Sequence, residues 1–146
     1  MTSFFEHQKL SFKKSYFRNL ILLASADGHL DETEKETLLV IGKKRGLKEW
    51  QIEELFNDHT PFEIFIPESF NNRMNLLYDL MQVIYADGKV DESEISFVEN
   101  TLASFHLSKD IAIELIRLFK SGVPSATDWR NFTDAIQDSS SWSYAA

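Results

Sequence analysis

The chain has no cysteine, and only three prolines and five glycines in 146 residues. Without cysteine there is neither a disulfide framework nor a thiolate metal site. A reducing, cytoplasmic setting is expected. Long apolar runs are also missing. The longest, Leu20 to Ala26, falls far short of the roughly 20 residues that cross a bilayer. The opening "MTSFFEHQKLSFKK" lacks the apolar centre and small-residue cleavage site of a secretory signal. Positive charge is scarce. Fifteen Lys and Arg stand against 23 Asp and Glu, a net charge of −8. That balance excludes nucleic acid as the main partner, because phosphate binding needs a basic face. Alternating β-branched runs are absent, which leaves an all-α fold.

What the chain does have is a repeat. "ADGHLDETE" at Ala26 to Glu34 returns as "ADGKVDESE" at Ala86 to Glu94, sixty positions later. At the same offset Phe17, Leu20, Ile21 and Ala24 answer Leu77, Leu80, Met81 and Ile84. Both sets follow the i, i+3, i+4, i+7 spacing of one helix face. The spacing predicts helices over 12–26, 31–45 and 48–57, then over 68–86, 91–105 and 108–120, with a short seventh over 128–137. The expected architecture is a compact bundle of about seven helices in a single domain. Within it lie two repeated three-helix halves, 12–57 and 68–120, related by an approximate two-fold. Their expected core is Leu20, Ile21, Leu38, Ile41, Leu80, Met81, Val98 and Leu102. The link "HTPFEIFIPE" carries Pro61 and Pro67, which keep it out of regular helix. Its Phe62, Ile64, Phe65 and Ile66 are expected to pack down as a lid. The serine-rich tail 138–146 is expected to be loose.

The acidic turn has two readings. As a connector, Gly28 and Gly88 supply a left-handed helix stop. Asp31 and Asp91 are then N-caps, Glu34 and Glu94 are capping-box acids, and Leu30 and Val90 plug the gap between helices. As a cation site, the turn gathers Asp27, Asp31 and Glu34, and in its twin Asp87, Asp91 and Glu94. Carboxylates beside the free carbonyls of a helix end suit a hard divalent ion, calcium or magnesium. Asp27 and Asp87 favour this second reading, because a carboxylate at a helix C-terminus opposes the macrodipole. Aligned with an EF-hand loop, each turn supplies only the back half. Leu23 and Ser25, or Val83 and Tyr85, stand where the first ligands belong. His29 is a bystander if the two turns are equivalent, since its counterpart Lys89 is protonated and cannot ligate. His7, His59 and His106 have no partner at ligand spacing.

A helical chain with two ADG-x-[hydrophobic]-D-E-x-E turns in repeated halves resembles the TerB-like family of tellurite-resistance proteins. It also resembles the related N-terminal module of some membrane-anchored DnaJ-type co-chaperones. The likeness spans Ser15 to Lys120. It implies a helical bundle without catalytic activity, in the bacterial cytoplasm, associated with metal-oxyanion or chemical stress. It also implies metal binding at Asp27, Asp31, Glu34, Asp87, Asp91 and Glu94.

No nucleophile motif or phosphate loop is present, so the chain is read as a non-enzyme. The run "GKKRGLK" contributes Lys43, Lys44, Arg45 and Lys48. These cations either relieve a helix C-terminus or dock an acidic protein partner or membrane surface. The second half carries "LASFHLS" at the same place, so the basic run breaks the repeat. The expected function is partner binding, with a divalent cation at the acidic turns. The alternative is an adaptor bundle whose turns are plain connectors, and an enzyme of unrecognised type ranks third.

Overall fold

The computed structural model describes residues 4–25, 30–86 and 92–138, with the side chains of all of these except 4–9 and 92–94. Among the described residues there are seven α-helices, one 3-10 turn and no strand. The helices are α1 (Phe4–Ala24), α2 (Glu32–Lys44), α3 (Glu49–Phe56), α4 (Phe70–Ile84), α5 (Glu92–Ser104), α6 (Ala112–Lys120) and α7 (Ala126–Gln137). The all-α expectation holds. The chain divides into two compact units, Met1–Phe65 and Ile66–Ala146. The boundary falls in the proline-bearing link.

Helix ends differ from the periodicity-based expectation where a cap decides them. α1 begins at Phe4, not near residue 12. No proline or glycine stands between residues 4 and 12 to stop the helix. α4 begins at Phe70, because the Ser69 hydroxyl accepts the Asn72 amide at 3.1 Å. α7 begins at Ala126, two residues early, because Ser125 caps it through the Asp128 amide. The helix expected from 108 opens as a 3-10 turn, Lys109–Ile111. There the Ser108 hydroxyl accepts the Asp110 amide and the Ser108 carbonyl accepts that of Ile111.

In the first unit α3 packs on both α1 and α2. Gly42 lets them close. A Cβ built there would lie 2.6 Å from Ile52 Cδ1 and 3.1 Å from Phe17 Cε2. Phe17, Leu20, Leu38 and Ile52 are fully buried around it. Asn19 is also fully buried, within an otherwise apolar stretch of α1. Its side-chain amide donates to the Phe65 carbonyl at 2.8 Å and accepts the Phe65 N–H at 2.9 Å. That two-bond clamp holds the link segment against α1. The link is therefore held by side-chain-to-backbone hydrogen bonds, while the side chains of Ile64 and Phe65, expected to pack down, stay exposed.

In the second unit α5 packs on α6. Tyr78 of α4, Phe119 of α6 and Trp129 of α7 form an aromatic cluster with ring centroids 4.9–5.9 Å apart. The Tyr78 hydroxyl donates to the Pro124 carbonyl at 2.8 Å, satisfying its polar end. Arg73 is buried and spends its guanidinium on three backbone carbonyls, those of Pro67, Glu68 and Phe105. It thereby ties the entry of α4 to the exit of α5. All eight expected core residues are buried.

The two units repeat one local device at the sixty-residue offset. After α2, Gly46 donates to the Lys43 carbonyl at 3.1 Å and Leu47 to the Gly42 carbonyl at 3.0 Å. After α5, His106 donates to the Ala103 carbonyl at 3.1 Å and Leu107 to the Leu102 carbonyl at 2.8 Å. This is the Schellman closure, with its left-handed residue and its apolar follower. Gly46 has φ +97° and His106 φ +61°. Leu47 and Leu107 are both buried.

Candidate functional site

Of the six acidic candidates, Asp31 and Glu34 have described side chains. Asp27, Asp87 and Asp91 lie outside the described residues, as do Gly28, His29, Gly88 and the Glu94 side chain. Asp31 takes up extended backbone just before α2, with φ −82° and ψ 175°. Its Oδ1 accepts the Glu34 amide at 2.7 Å, and Glu34 Oε1 accepts the Asp31 amide at 3.2 Å. That is a complete capping box. The two carboxylates also sit at the positive end of the α2 dipole, where negative charge is favoured. One oxygen of each is thus already committed to a backbone amide. Among the described residues, no group of three or more acidic or histidine side chains could hold a metal ion. The connector expectation for Asp31 and Glu34 is met by direct hydrogen bonds.

The basic run gathers at the α2–α3 corner. Lys43 and Lys44 occupy the last turn of α2, where cations oppose the exposed carbonyl end. Lys48 is the residue before α3, and its N–H donates to Gln51 Oε1 at 2.8 Å. Arg45 lies over the Tyr16 ring at 5.9 Å. Lys43 Nζ stands 3.5 Å from a Glu49 carboxylate oxygen, with both side chains more than half exposed. Such a pair holds little energy. Sequence reasoning missed one member. Lys13 on α1 lays its side chain alongside Gly46, which adds a fifth cation. Trp50, 55% exposed, stands in the first turn of α3, two residues past Lys48. Trp50 follows the basic run after one glutamate, Glu49, but spacing alone cannot tell whether a tryptophan two residues into a helix faces in or out.

A third arrangement had no forecast. Arg18 on α1 pairs with Asp58 at 3.2 Å. It donates to the Thr60 carbonyl and to the Thr60 hydroxyl, and lies over the Phe62 ring at 4.8 Å. Thr60 returns its hydroxyl and its N–H to Asp58 Oδ1 at 2.7 and 3.0 Å. The two Thr60 hydrogen bonds, with the nearby Arg18 guanidinium adding to them, hold the Asp58 carboxyl below its ordinary value. Beside this network runs a groove of about 300 Å³ between α1, the end of α3 and the link.

A model of tellurite resistance protein TerB matches residues 73–145, half of the chain. The chain belongs to the TerB family. The match lies in the second unit and contains the second acidic turn. The first turn, the basic corner and the groove precede it. No curated protein and no solved structure matches the chain. No described helix is long and apolar enough to cross a membrane.

Proposed function

We propose that this TerB-family chain is a non-catalytic, cytoplasmic binding module that docks a protein partner through the basic corner of its first unit. The observation that carries this is the gathering of Lys13, Lys43, Lys44, Arg45 and Lys48 at the α2–α3 corner, with Trp50 exposed two residues past Lys48, in a chain of net charge −8. A helix end is relieved by one or two cations. Five cations with an adjoining exposed aromatic exceed that need and match the arginine, lysine and tryptophan content of binding hot spots. The partner surface is acidic. The family description supports a setting in tellurite or related chemical stress. The test is affinity capture from stressed cells with the wild-type chain and with a Lys43→Glu/Lys44→Glu/Lys48→Glu variant. Loss of a discrete set of acidic proteins, with the melting temperature held, supports the reading. An unchanged captured set refutes it.

The capping box favours the connector reading for the first acidic turn. The cation reading rests on the three-carboxylate pattern and is sharpest for Asp87, Asp91 and Glu94. Residue-resolved NMR during calcium, magnesium or manganese titration decides it. Saturating shifts confined to 86–94 support a cation there, and unmoved amides leave two connectors.

A further inference from the structure

From the groove in the first unit, we infer that it is a binding site for a small organic monoanion, a carboxylate carried on an apolar body. Its volume is about 300 Å³, which meets the lower end of small-molecule sites, roughly 300–1,000 Å³. Its wall on α1 presents Ser11, Lys14, Ser15 and Arg18. These positions are spaced i, i+3, i+4 and i+7, so hydroxyl and cationic donors form one stripe. Leu10 on the same helix, with Leu55 of α3 and Phe62 of the link, supplies apolar surface.

Charge sets the ligand class. Arg18 is already spent. Its guanidinium is matched by Asp58 at 3.2 Å, fixed by Thr60 and stacked on Phe62. Asp58 also lines the groove, so this pair adds no net charge. Lys14 has no ion pair among the described residues and is only partly exposed. One uncompensated cation beside two serine hydroxyls fits one carboxylate. A second negative charge would meet Asp58. The apolar body lies against Leu55 and Phe62, and the immobilised Arg18–Thr60 network keeps the Phe62 wall in place before the ligand arrives.

Benzoate is the probe, with benzamide as its neutral isostere and sodium chloride matching ionic strength. Amide shifts and affinity are followed by NMR on the full chain. Benzoate is expected to move amides of 10–18 and 55–62 saturably, and benzamide to leave them still. Lys14→Gln is expected to weaken benzoate about fivefold, the scale of one exposed charge pair. Asp58→Asn keeps the side-chain size and frees the Arg18 charge. It is expected to tighten benzoate about two- to fivefold and to admit phthalate, a dianion. That gain is not available to a merely structural role for Lys14. Equal shifts from benzamide overturn the proposal. So does a Lys14→Gln variant of unchanged affinity, an Asp58→Asn variant that binds no tighter, or shifts centred on 43–50.

Discussion

Asp31 allows the connector and the cation to be told apart by one atom. The capping box uses Oδ1 as an acceptor for the Glu34 amide at 2.7 Å. Asn and Ser offer such an acceptor without charge, and Ala offers none. An N-cap lost to Ala costs about 0.5–2 kcal/mol. Asp31 is exposed, so water takes up part of the freed amide and the cost falls near 1 kcal/mol. Asn or Ser forfeits only the charge at the α2 dipole, roughly 0.3–1 kcal/mol at low salt and less in high salt. On melting, 1 kcal/mol is about 2–4 °C for a chain of this size. The expected order is wild type, then Asp31→Asn and Asp31→Ser close behind, with Asp31→Ala lowest. Differential scanning calorimetry, with and without calcium, magnesium and manganese, reads this directly. A cation held by Asp31 would raise the wild-type melting temperature with the logarithm of ion concentration, and Asp31→Asn would abolish the rise. Hydrogen exchange localises the effect to the first turn of α2. If Asp31→Asn is as damaging as Asp31→Ala and the wild type alone responds to ions, the capping argument fails.

Gly42→Ala gains about 1 kcal/mol of helix propensity but forces a methyl to 2.6 Å from the buried Ile52 Cδ1. Overpacking costs about 1–3 kcal/mol, so net destabilisation near 1 kcal/mol is expected. Ile52→Val removes the nearest atom, Cδ1, and leaves Cγ1 at 2.9 Å, so urea unfolding of the double variant should show a partial favourable coupling of about 0.5 kcal/mol; simple additivity counts against the packing account. His106→Gly relieves a left-handed residue with φ +61° and should stabilise by about 0.5–1 kcal/mol, whereas Gly46→Ala, at φ +97°, should destabilise by a similar amount on thermal melting. Asp58 has a lowered carboxyl pKa, relative to an ordinary 3.8. Its contribution is therefore complete above that value and is lost as pH falls through the depressed folded value. A carbon-detected titration of Asp58 should place its midpoint below 3.8, and Asp58→Asn should lose its disadvantage only in that acid range; an unshifted midpoint contradicts the Thr60 and Arg18 contacts.

The helical class, the positions of the helix bodies and the buried set from Leu20 to Leu102 were legible in the sequence. They depend on local periodicity and on glycine, proline and capping chemistry, which act within a few residues. The capping role of Asp31 and Glu34 was legible for the same reason, since three residues contain the whole device. The repeated Schellman closure was half legible. Gly46 announces a left-handed residue, but His106 does not, because histidine takes that conformation only where the Leu107 amide and buried side chain hold it there.

Tertiary structure alone decided the rest. Asn19 reads as a polar flaw in an apolar stretch until Phe65, far along the chain, supplies a backbone donor and acceptor for it. Arg18 reads as a surface cation until the link returns Asp58, Thr60 and Phe62 to it. Lys13 joins the basic corner only because α1 passes the end of α2. Hydrogen bonds, charge pairs and ring contacts act over a few ångströms of space. The sequence separations that close them, more than forty residues for Asn19 and Arg18, carry no periodic mark.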